Sequence, residues 1–504
     1  MKRVLALLLA GLMIVSLAAC GSTEQKETAK TEYKLSQDVD EASVVDGMMT
    51  LISGDDPILE KSTASWLDTC VLYEVNIRQY TEEGTFAAFE AHLDRLKEMG
   101  INTLWLMPIH PISETERKGT LGSYYAVSDY KDVNPEFGTM DDFKHLLNKA
   151  HDMGFKVILD WVANHTGWDN AWIEEHEDWY EHDNDGNIRS PYDWTDTAQL
   201  DYENYEMRAE MIKCMQFWVE DIGIDGFRCD HAIGVPANFW NAAVYRLKSV
   251  NSEIMMLAET SASATLTEYA FDSCYNDMLY GQALMTKGGV ATSSIQDGMV
   301  RSQNYIGDSF PMNYLDNHDK NSYEGSIADR FGDTYQTLLA LTYVSPGMPL
   351  IYTANEEGYD HEIEFFEKDT VKWEDEPKYA DLIAALSKLK AENKALASTN
   401  QELTIFVGPD SDVSISSEAP TTSNSKVFAF SRTKDNNTVI YISNLYYDPI
   451  DNVSVDFGFD KATCVVHHDG TTLDTAETEV TKEDFKNKDY NPYEFYILVV
   501  NNEN

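Results

Sequence analysis

The sequence predicts a (β/α)₈ (TIM) barrel, an α/β fold, with a small subdomain inserted after the third strand and an antiparallel β domain at the C-terminus. Segments with strand and helix character alternate eight times between residues 70 and 393. Several strand segments are continuous apolar runs, which is typical of parallel strands buried on both faces. Beyond residue 399 the helical period ends, and segments separated by Asn, Asp and Gly turns begin. An open doubly wound sheet is the alternative, but no Gly-rich phosphate loop follows the first strand to favour it.

The first 20 residues resemble a bacterial lipoprotein signal peptide. Lys2 and Arg3 precede an apolar run at residues 4–15 that is too short to span a membrane comfortably. The letters LAAC at residues 17–20 resemble a lipobox, which predicts cleavage before Cys20 and a lipid on its thiol. Residues 21–62 are polar and lack sustained periodicity, as in a flexible tether. We therefore expect an extracytoplasmic protein anchored to a bacterial membrane by an N-terminal lipid, with a plain signal peptide as the alternative.

Residues 63–398 are predicted to form the barrel. In its first helix, Phe86, Phe89, Leu93 and Leu96 fall at helical spacing, and Gly100 follows as a stop signal. Further helices are expected at 140–154, 203–223, 239–250 and 377–393. The eight strands are expected at CVLYEVNI (70–77), INTLWLMPI (101–109), FKVILDWVAN (155–164), IDGFRCD (224–230), EIMMLAE (253–259), FDSCYN (271–276), PMNYLDN (311–317) and PLIYTAN (349–355).

Two further units are predicted outside the regular alternation. Residues 166–200 are too long for an ordinary loop and carry four tryptophans among Asp, Asn and Gly, which indicates a small functional subdomain. Residues 399–504 are predicted to form a separate antiparallel domain. Its strands are expected in KVFAFSRT (426–433), TVIYISNLY (438–446), VSVDFGF (453–459) and PYEFYILVV (492–500).

The charge and the cysteines exclude several classes of function. Acidic residues number 86 against 38 basic ones, so the formal net charge is −48. Such a field repels phosphates and other anions, which argues against nucleic acid as a partner and is indifferent to a neutral polysaccharide. The five cysteines after Cys20 are scattered and odd in number, so neither a disulfide framework nor a zinc site is indicated.

Polar residues collect where the predicted barrel strands end, the face on which such barrels carry their active sites. The third strand ends in Asp160, Asn164 and His165, the fourth in Arg228 and Asp230, the fifth in Glu259, and the seventh segment in Asn317, His318 and Asp319. Singly, each has an ordinary explanation as a helix cap or a structural ion pair. Together they would be costly in a core, and they suit acid–base chemistry on a polar substrate.

These segments resemble the ordered motifs of the α-amylase family, family 13 of the glycoside hydrolases. The four motifs are DWVANH (160–165), GFRCD (226–230), LAE (257–259) and NHD (317–319). GSYYAVSDYKDVNPEFGT (122–139) and GMPLIYTANEEG (347–358) also resemble family segments. The resemblance covers about residues 66–395, and its strength lies in the order and spacing of the motifs.

The resemblance implies a role for each site residue. Asp230 is expected to be the nucleophile that forms a covalent glycosyl-enzyme, and Glu259 the general acid and then base, with a raised pKa. Asp319 is expected to stabilise the transition state. Arg228, on the same strand face as Asp230, is expected to keep the nucleophile ionised. His165 and His318 are expected to hydrogen-bond sugar hydroxyls, and Tyr124 to stack on the sugar ring, with an ordinary barrel aromatic as the alternative for Tyr124.

The chain also departs from the family pattern. Many α-amylases bind calcium through the Asn that matches Asn164, an Asp of the inserted subdomain and a His four residues after the nucleophile. Here Gln199 replaces that Asp and Gly234 replaces that His. We therefore assign no metal ligand, and calcium is left open as a cofactor. Ile233 replaces a Lys that contacts glucose beyond the cleavage point in typical members, which speaks against strict endo-acting starch specificity.

The implied reaction is retaining cleavage of α-1,4-glucosidic bonds in starch, glycogen or maltodextrins. Family resemblance alone leaves α-glucosidase, maltogenic or neopullulanase-type and glucosyltransferase activities open. A lipoprotein that binds glucan without cutting it is the alternative from another class. All three carboxylates and Arg228 are present, and this favours the enzyme.

Overall fold

The computed structural model describes residues 62–261, 263–286, 292–306, 309–374, 376–409 and 419–501. The predicted signal peptide, Cys20 and the predicted tether up to residue 61 lie outside the described residues. No helix of the part described has both the length and the apolar character needed to cross a membrane.

Eight parallel strands close into a barrel, and this confirms the predicted fold class. They are β1 (Leu72–Val75), β2 (Thr103–Leu106), β3 (Lys156–Val162), β4 (Gly226–Asp230), β5 (Met255–Ala258), β6 (Ser273–Tyr275), β7 (Phe310–Asn313) and β8 (Met348–Tyr352). Each strand pairs with the next along the chain, and β8 pairs with β1, with Leu72 opposite Leu350. All strand residues except Lys156 are buried, which explains why the segments are apolar without alternation.

Helices and short loops return the chain from each strand to the next. The longer helices are Met140–Asp152, Tyr205–Phe217, Ala237–Val250, Asp277–Thr286, Thr292–Ile306, Tyr335–Val344 and Ala380–Glu392; the shorter ones are Ile77–Tyr80, Phe86–Glu90, Leu93–Glu98, Ala264–Thr267, His318–Glu324 and Ile327–Arg330. Thr139 and Asp142 form a capping box that starts the second predicted helix. The first predicted helix is broken at residues 91–92, and the third is continued by a π-helical turn, Trp218–Ile222, that ends at Gly223 with φ of 90°.

The segment after β3 forms the inserted unit. Its ends pair as the short antiparallel strands His165–Gly167 and Thr197–Gln199. Between them lie the helix Trp172–Glu175 and the 3₁₀ turn Glu177–Trp179. The Trp172 ring lies 5.2 Å from that of Tyr130, so the insertion packs on the loop that follows β2.

The C-terminal residues form an antiparallel sheet, as predicted. Its main strands are β9 (Val427–Lys434), β10 (Asn437–Asn444), β11 (Lys461–His468) and β12 (Phe495–Asn501), in the order β9-β10-β12-β11. Thr404–Ile405 extends the β9 edge, and Leu473–Asp474 and Thr478–Thr481 pair with β11; the small pairs Thr421–Thr422 with Val455–Asp456 and Ile450–Val453 with Lys488–Tyr490 lie beside the sheet. The apolar core of the barrel continues into one face of this sheet through Phe428, Phe430, Tyr441, Phe495 and Ile497.

Candidate active site

One buried arginine gathers the carboxylates at the mouth of the barrel. The side chain of Arg228, on β4, is 0% exposed, and its Nη1 contacts Asp160 Oδ1 at 2.8 Å and Asp230 Oδ1 at 3.1 Å. Its Nη2 lies 2.8 Å from Glu259 Oε2. Its Nε donates to the Tyr275 hydroxyl at 3.1 Å. The strand ends of β3, β4 and β5 thus bring three carboxylates onto one guanidinium.

A cavity of about 290 Å³ opens beside this cluster. Of the predicted site residues, Asp230, Glu259, Asp319, His165 and His318 line it. Arg228 lies buried behind the carboxylates, outside the lining. The remaining lining residues are Lys118, Ser123, Tyr125, Trp194, Asp196, Thr197, His231, Tyr323, Phe365 and Phe366.

The tyrosine at the cavity is Tyr125, and the expectation for Tyr124 is corrected. Tyr124 is buried outside the cavity lining, where its hydroxyl donates to Asn76 Oδ1 at 3.1 Å and the Arg78 guanidinium covers its ring at 4.1 Å. Tyr125 stands between Asp160 and His318, with its hydroxyl 3.0 Å from Asp160 Oδ2 and 2.7 Å from His318 Nε2. Neighbouring residues of this turn point in different directions, so the choice between two adjacent tyrosines needs the backbone path.

Asp230 and Glu259 compete for Arg228, and their pKa values move apart. Burial, and then the charge of Glu259, raise the pKa of Asp230 well above its ordinary value, against the attraction of Arg228. Burial also acts to raise the pKa of Glu259, but Arg228 and the His231 N–H, which donates to Glu259 Oε2 at 2.7 Å, outweigh it and lower that pKa. The expected order is therefore reversed in this structure, because burial and the Glu259 charge outweigh Arg228 at Asp230, whereas Arg228 and the His231 N–H outweigh burial at Glu259.

The two predicted histidines differ in charge. Burial, reinforced by His231, lowers the pKa of His165 to about 3, so this ring is neutral at ordinary pH. For His318, burial is outweighed by Asp319 and Glu74, and the pKa rises to about 9. His318 Nδ1 lies 2.5 Å from Glu74 Oε1, and its Nε2 lies 3.5 Å from Asp319 Oδ2. Asp319 itself keeps a side chain that is 42% exposed at the cavity.

Glu74 and Tyr125 are site residues that the sequence alone did not single out. Glu74 is the one acidic residue of β1, a strand in which every residue is buried. A lone carboxylate in an apolar strand segment signals a buried partner, since an unpaired charge there would be strongly destabilising. That partner is His318, the first residue of the helix His318–Glu324 that follows β7.

The residues at the family's calcium position do not fit a calcium ion. The amide Nε2 of Gln199 donates to Asn164 O at 2.9 Å, to Asn164 Oδ1 at 3.3 Å and to Leu200 O at 3.2 Å. A Cβ on Gly234 would come within 2.7 Å of Asn164 Oδ1, so the backbone after β4 is also close. The side-chain amide of Gln199 is committed to Asn164 and Leu200 on both its N–H and its oxygen side, so this set of groups does not fit calcium.

Comparisons with known proteins agree with this geometry. A sequence model described as the alpha-amylase catalytic domain matches residues 76–401. The alpha-amylase MalA of Haloarcula japonica is 25% identical over 425 residues, which cover 80% of this chain and 60% of that protein. The chain thus spans less than two thirds of the length of that relative.

Two solved structures resemble nearly the whole of the chain. An alpha-amylase from Lactobacillus plantarum gives a TM-score of 0.71 at 28% identity and covers 86% of this chain and 99% of its own. The maltogenic alpha-amylase AmyB from Thermotoga neapolitana gives a TM-score of 0.72 at 27% identity and covers 87% and 100%. With a family match over more than half of its length and the barrel, the motifs and the carboxylate cluster in agreement, the chain belongs to the alpha-amylase family.

Proposed function

We propose that this protein is a retaining glycoside hydrolase that cleaves α-1,4-glucosidic bonds in starch, glycogen or maltodextrins through a covalent glycosyl-enzyme. The observation that carries the proposal is Arg228, which holds Asp230 and Glu259 side by side at the cavity. A nucleophile and an acid on neighbouring strand ends are what a two-step displacement at a sugar carbon requires. The similarity to alpha-amylases supports the same substrate class.

Asp230 is the nucleophile in this proposal. Its Oδ1 is fixed by Arg228, so the carboxylate has one orientation in which to attack the anomeric carbon. Attack expels the leaving oxygen and gives a glycosyl ester of Asp230. Water then attacks that ester and returns the free carboxylate, with net retention of configuration.

Glu259 supplies the proton to the leaving oxygen and removes it from water in the second step. It must be protonated when the substrate is in place, although Arg228 and the His231 N–H lower its pKa in this structure. A sugar bound between the two carboxyls would part Glu259 from Arg228 and leave the guanidinium to Asp230. The pKa of Glu259 would then rise and that of Asp230 would fall, as the mechanism needs.

Asp319, His318 and His165 complete the site. Cationic His318 lies 3.5 Å from Asp319 and holds that carboxylate beside the cavity, where it would stabilise positive charge on the sugar ring in the transition state. Neutral His165 already contacts Asn164 Nδ2 at 3.2 Å through its Nδ1; its ring lines the cavity, where it would hydrogen-bond a sugar hydroxyl. Tyr125, stacked 5.4 Å from His318, forms the wall against which the ring would lie.

The proposal is tested by the release of reducing ends from soluble starch and maltodextrins. We expect Asp230→Asn to lower kcat by about 10⁴-fold or more, and Glu259→Gln to lower it by about 10²–10⁴-fold. Asp141→Asn, at an exposed carboxylate in the first turn of a surface helix, is the matched control and should keep full activity. Equal background release by wild type and Asp230→Asn would reject hydrolysis and favour glucan binding alone.

The two carboxylates can be told apart with an activated aryl α-glucoside, whose leaving group needs no proton. Glu259→Gln should then give a rapid burst of phenol, because the glycosyl-enzyme forms but is not hydrolysed. Asp230→Asn should give no burst. A burst from Asp230→Asn instead would show that the nucleophile is another residue.

We also propose that Cys20 carries a lipid that anchors the enzyme to a bacterial membrane outside the cytoplasm, as the N-terminal sequence indicates. The test is membrane fractionation of cells that express the full chain. Cys20→Ala should move the enzyme out of the membrane fraction, whereas Cys70→Ala, which changes a buried cysteine, should not. Retention of Cys20→Ala in the membrane fraction would refute the lipid anchor.

A further inference from the structure

We propose that the ion pair between Lys118 and Asp196 closes the glycone end of the cavity, so that the enzyme releases a short saccharide from the non-reducing end of an α-glucan. The inference deepens the proposed function and rests on it, because it takes Glu259 as the group that faces the leaving chain. It assigns the length of the product to two residues that stand outside the catalytic motifs.

The pair joins two loops that both line the cavity. Lys118 belongs to the segment after β2, and Asp196 to the inserted unit after β3. Lys118 Nζ lies 2.9 Å from Asp196 Oδ1, with the two side chains 35% and 5% exposed. Both residues line the cavity beside Asp230, Asp319 and Glu259. Because most of this ion pair is buried, dissolved salt screens it less than a fully exposed pair. The pair therefore holds the two loops together.

The Lys118 loop is tied to both of its neighbours. On one side, Asp169 of the inserted unit accepts the backbone N–H groups of Glu114 and Thr115 at 2.5 and 3.0 Å. On the other side, in the loop after β8, Glu367 Oε1 accepts from Thr120 N at 2.9 Å and Phe366 O accepts from Leu121 N at 3.0 Å. These hydrogen bonds tie residues 114–121, which we call the rim, to the loops on both of their sides.

Two further features hold this rim in place. Gly119 has φ of 64°, and a Cβ there would come within 2.5 Å of Phe366 Cβ, so the loop and Phe366 approach as closely as a glycine allows. The buried guanidinium of Arg78 also donates to Leu121 O and Gly122 O, both at 3.1 Å. The rim is therefore a fixed wall, and a longer glycone could not displace it without breaking several hydrogen bonds.

A second cavity, of about 400 Å³, adjoins the first. It shares Glu259, Asp319 and His231 with the first, and neither Lys118 nor Asp196 lines it. Its wall includes Ile233, which is 63% exposed. Glu259 thus stands where the two cavities meet. If Glu259 protonates the leaving oxygen, the leaving chain extends into the second cavity, and the glycone occupies the first, which Lys118 and Asp196 line.

The inference is tested first on the wild-type enzyme, with maltoheptaose that carries a label at its reducing end. We expect glucose or maltose without the label from the first time points, while the label stays on the longer fragment. Labelled and unlabelled oligomers of mixed length at early times would overturn the inference. Absence of any hydrolysis would instead reject the proposed function, so the two failures are distinguishable.

Variants then test the ion pair itself. Lys118→Met with Asp196→Asn removes both charges without leaving either one buried alone, and it should add longer unlabelled products. Lys118→Arg keeps the pair and should keep the wild-type pattern. Lys131→Ala breaks a 2.8 Å ion pair with Glu210 on the outer surface and is the matched control.

Thermal melting decides whether each variant is folded. The exchanged pair, Lys118→Asp with Asp196→Lys, is a second test of the ion pair. It places the same two charges in the opposite order and should again give the short product. A folded double-neutral variant with the wild-type product pattern would overturn the role of the pair. A lengthened product from Lys131→Ala would do so as well, because the change would then not depend on the rim.

Discussion

At the residue scale, the site holds more negative than positive charge. Arg228 and His318 contact five carboxyl groups, those of Glu74, Asp160, Asp230, Glu259 and Asp319. Burial raises the pKa of Glu74 to about 7, although His318 opposes it, and burial also raises the pKa of Asp160. The carboxyls of such a cluster titrate together, and burial favours their protonated forms.

The Glu74–His318 pair predicts that stability falls as pH rises. The folded protein keeps a proton on Glu74 from its ordinary pKa of 4.5 up to about 7. It keeps one on His318 from 6.5 up to about 9, whereas the unfolded chain has released both. The stabilisation is therefore complete below these ordinary values and is lost as pH rises through about 9.

Unfolding by urea between pH 5 and pH 9 measures this effect. In wild type the unfolding free energy should fall between pH 5 and pH 9. In the double variant Glu74→Gln with His318→Asn this fall should be smaller by on the order of 2 kcal/mol. The comparison uses the slope with pH, so a uniform loss of stability in the variant does not matter. The same slope in both proteins would show that other groups set the pH dependence.

The individual residues show where sequence reasoning ends. The strand-end residues Asp230, Glu259, His165 and His318 could be placed at one cavity, because the carboxyl ends of parallel strands meet at one face of a barrel. Tyr124 could not be told from Tyr125, since both lie in a turn without a period. The order of the Asp230 and Glu259 pKa values also escaped prediction, because it depends on burial and on the contacts that Arg228 and the His231 N–H make with each carboxylate.

At the scale of elements, the junction between the inserted unit and the barrel is closed by an amide. Gln199 ends the short strand Thr197–Gln199 and donates to oxygens of Asn164 just after β3. Where a cation would draw such oxygens together, one side chain does so here. The sequence shows the exchange of Asp for Gln, but the hydrogen bonds that replace the ion are visible only in the structure.

This junction predicts that chelation leaves the protein unchanged. Melting temperature and starch hydrolysis should be the same in excess chelator and in excess calcium. Gln199→Ala should lower the unfolding free energy by about 1–3 kcal/mol, since it leaves buried oxygens of Asn164 and Leu200 without their donor. A melting temperature that falls on chelation and returns with calcium would contradict the prediction.

The contact between β4 and β5 makes a prediction about Gly226. This residue starts β4 with φ of 153°, and a Cβ there would lie 2.1 Å from Met255 O. Gly226→Ala must part the two strands or bend them, and should destabilise by about 1–3 kcal/mol or more. Gly281→Ala is the matched control, because no atom lies within 4 Å of its Cβ position and its helix should gain up to about 1 kcal/mol. Urea unfolding of both variants checks the difference, and equal effects would contradict it.

The strands that are buried on both faces were the easiest elements to predict from the sequence. The barrel strands could be found because both faces are buried, which leaves unbroken apolar runs. Strand β11 was not predicted. Its buried residues are Ala, Cys, Val and His, and its more exposed residues are Lys, Thr, Val and His, so the two faces differ little in polarity. The break at residues 91–92 was also not predicted, because the apolar spacing continues across it.

At the scale of the whole molecule, a buried arginine fastens the β domain to the barrel. Arg432 of β9 is 0% exposed and pairs with neutral carbonyl groups. It donates to Ser345 O, at the end of the helix Tyr335–Val344, and to Ala397 O, each at 3.0 Å, and also to Asn400 O. The negative ends of helices stabilise such a cation. The Tyr441 hydroxyl adds a bond to Thr337 O at 2.9 Å, so the barrel and the sheet share both polar contacts and one apolar core.

We therefore predict that the barrel and the β domain unfold in one transition and that Arg432→Met weakens both. Loss of the guanidinium leaves buried carbonyl groups unpaired, and the unfolding free energy should fall by about 2–4 kcal/mol. Far-ultraviolet circular dichroism and residual starch hydrolysis, followed along one urea titration, should lose signal together at a lower midpoint. Arg301→Met, which removes a 66% exposed arginine paired with Asp297 at 3.5 Å, is the control and should change the midpoint little. Two separate transitions in wild type, with hydrolysis retained after the first, would contradict the prediction. They would show that the barrel stays folded when the sheet unfolds and that Arg432 stabilises only the β domain.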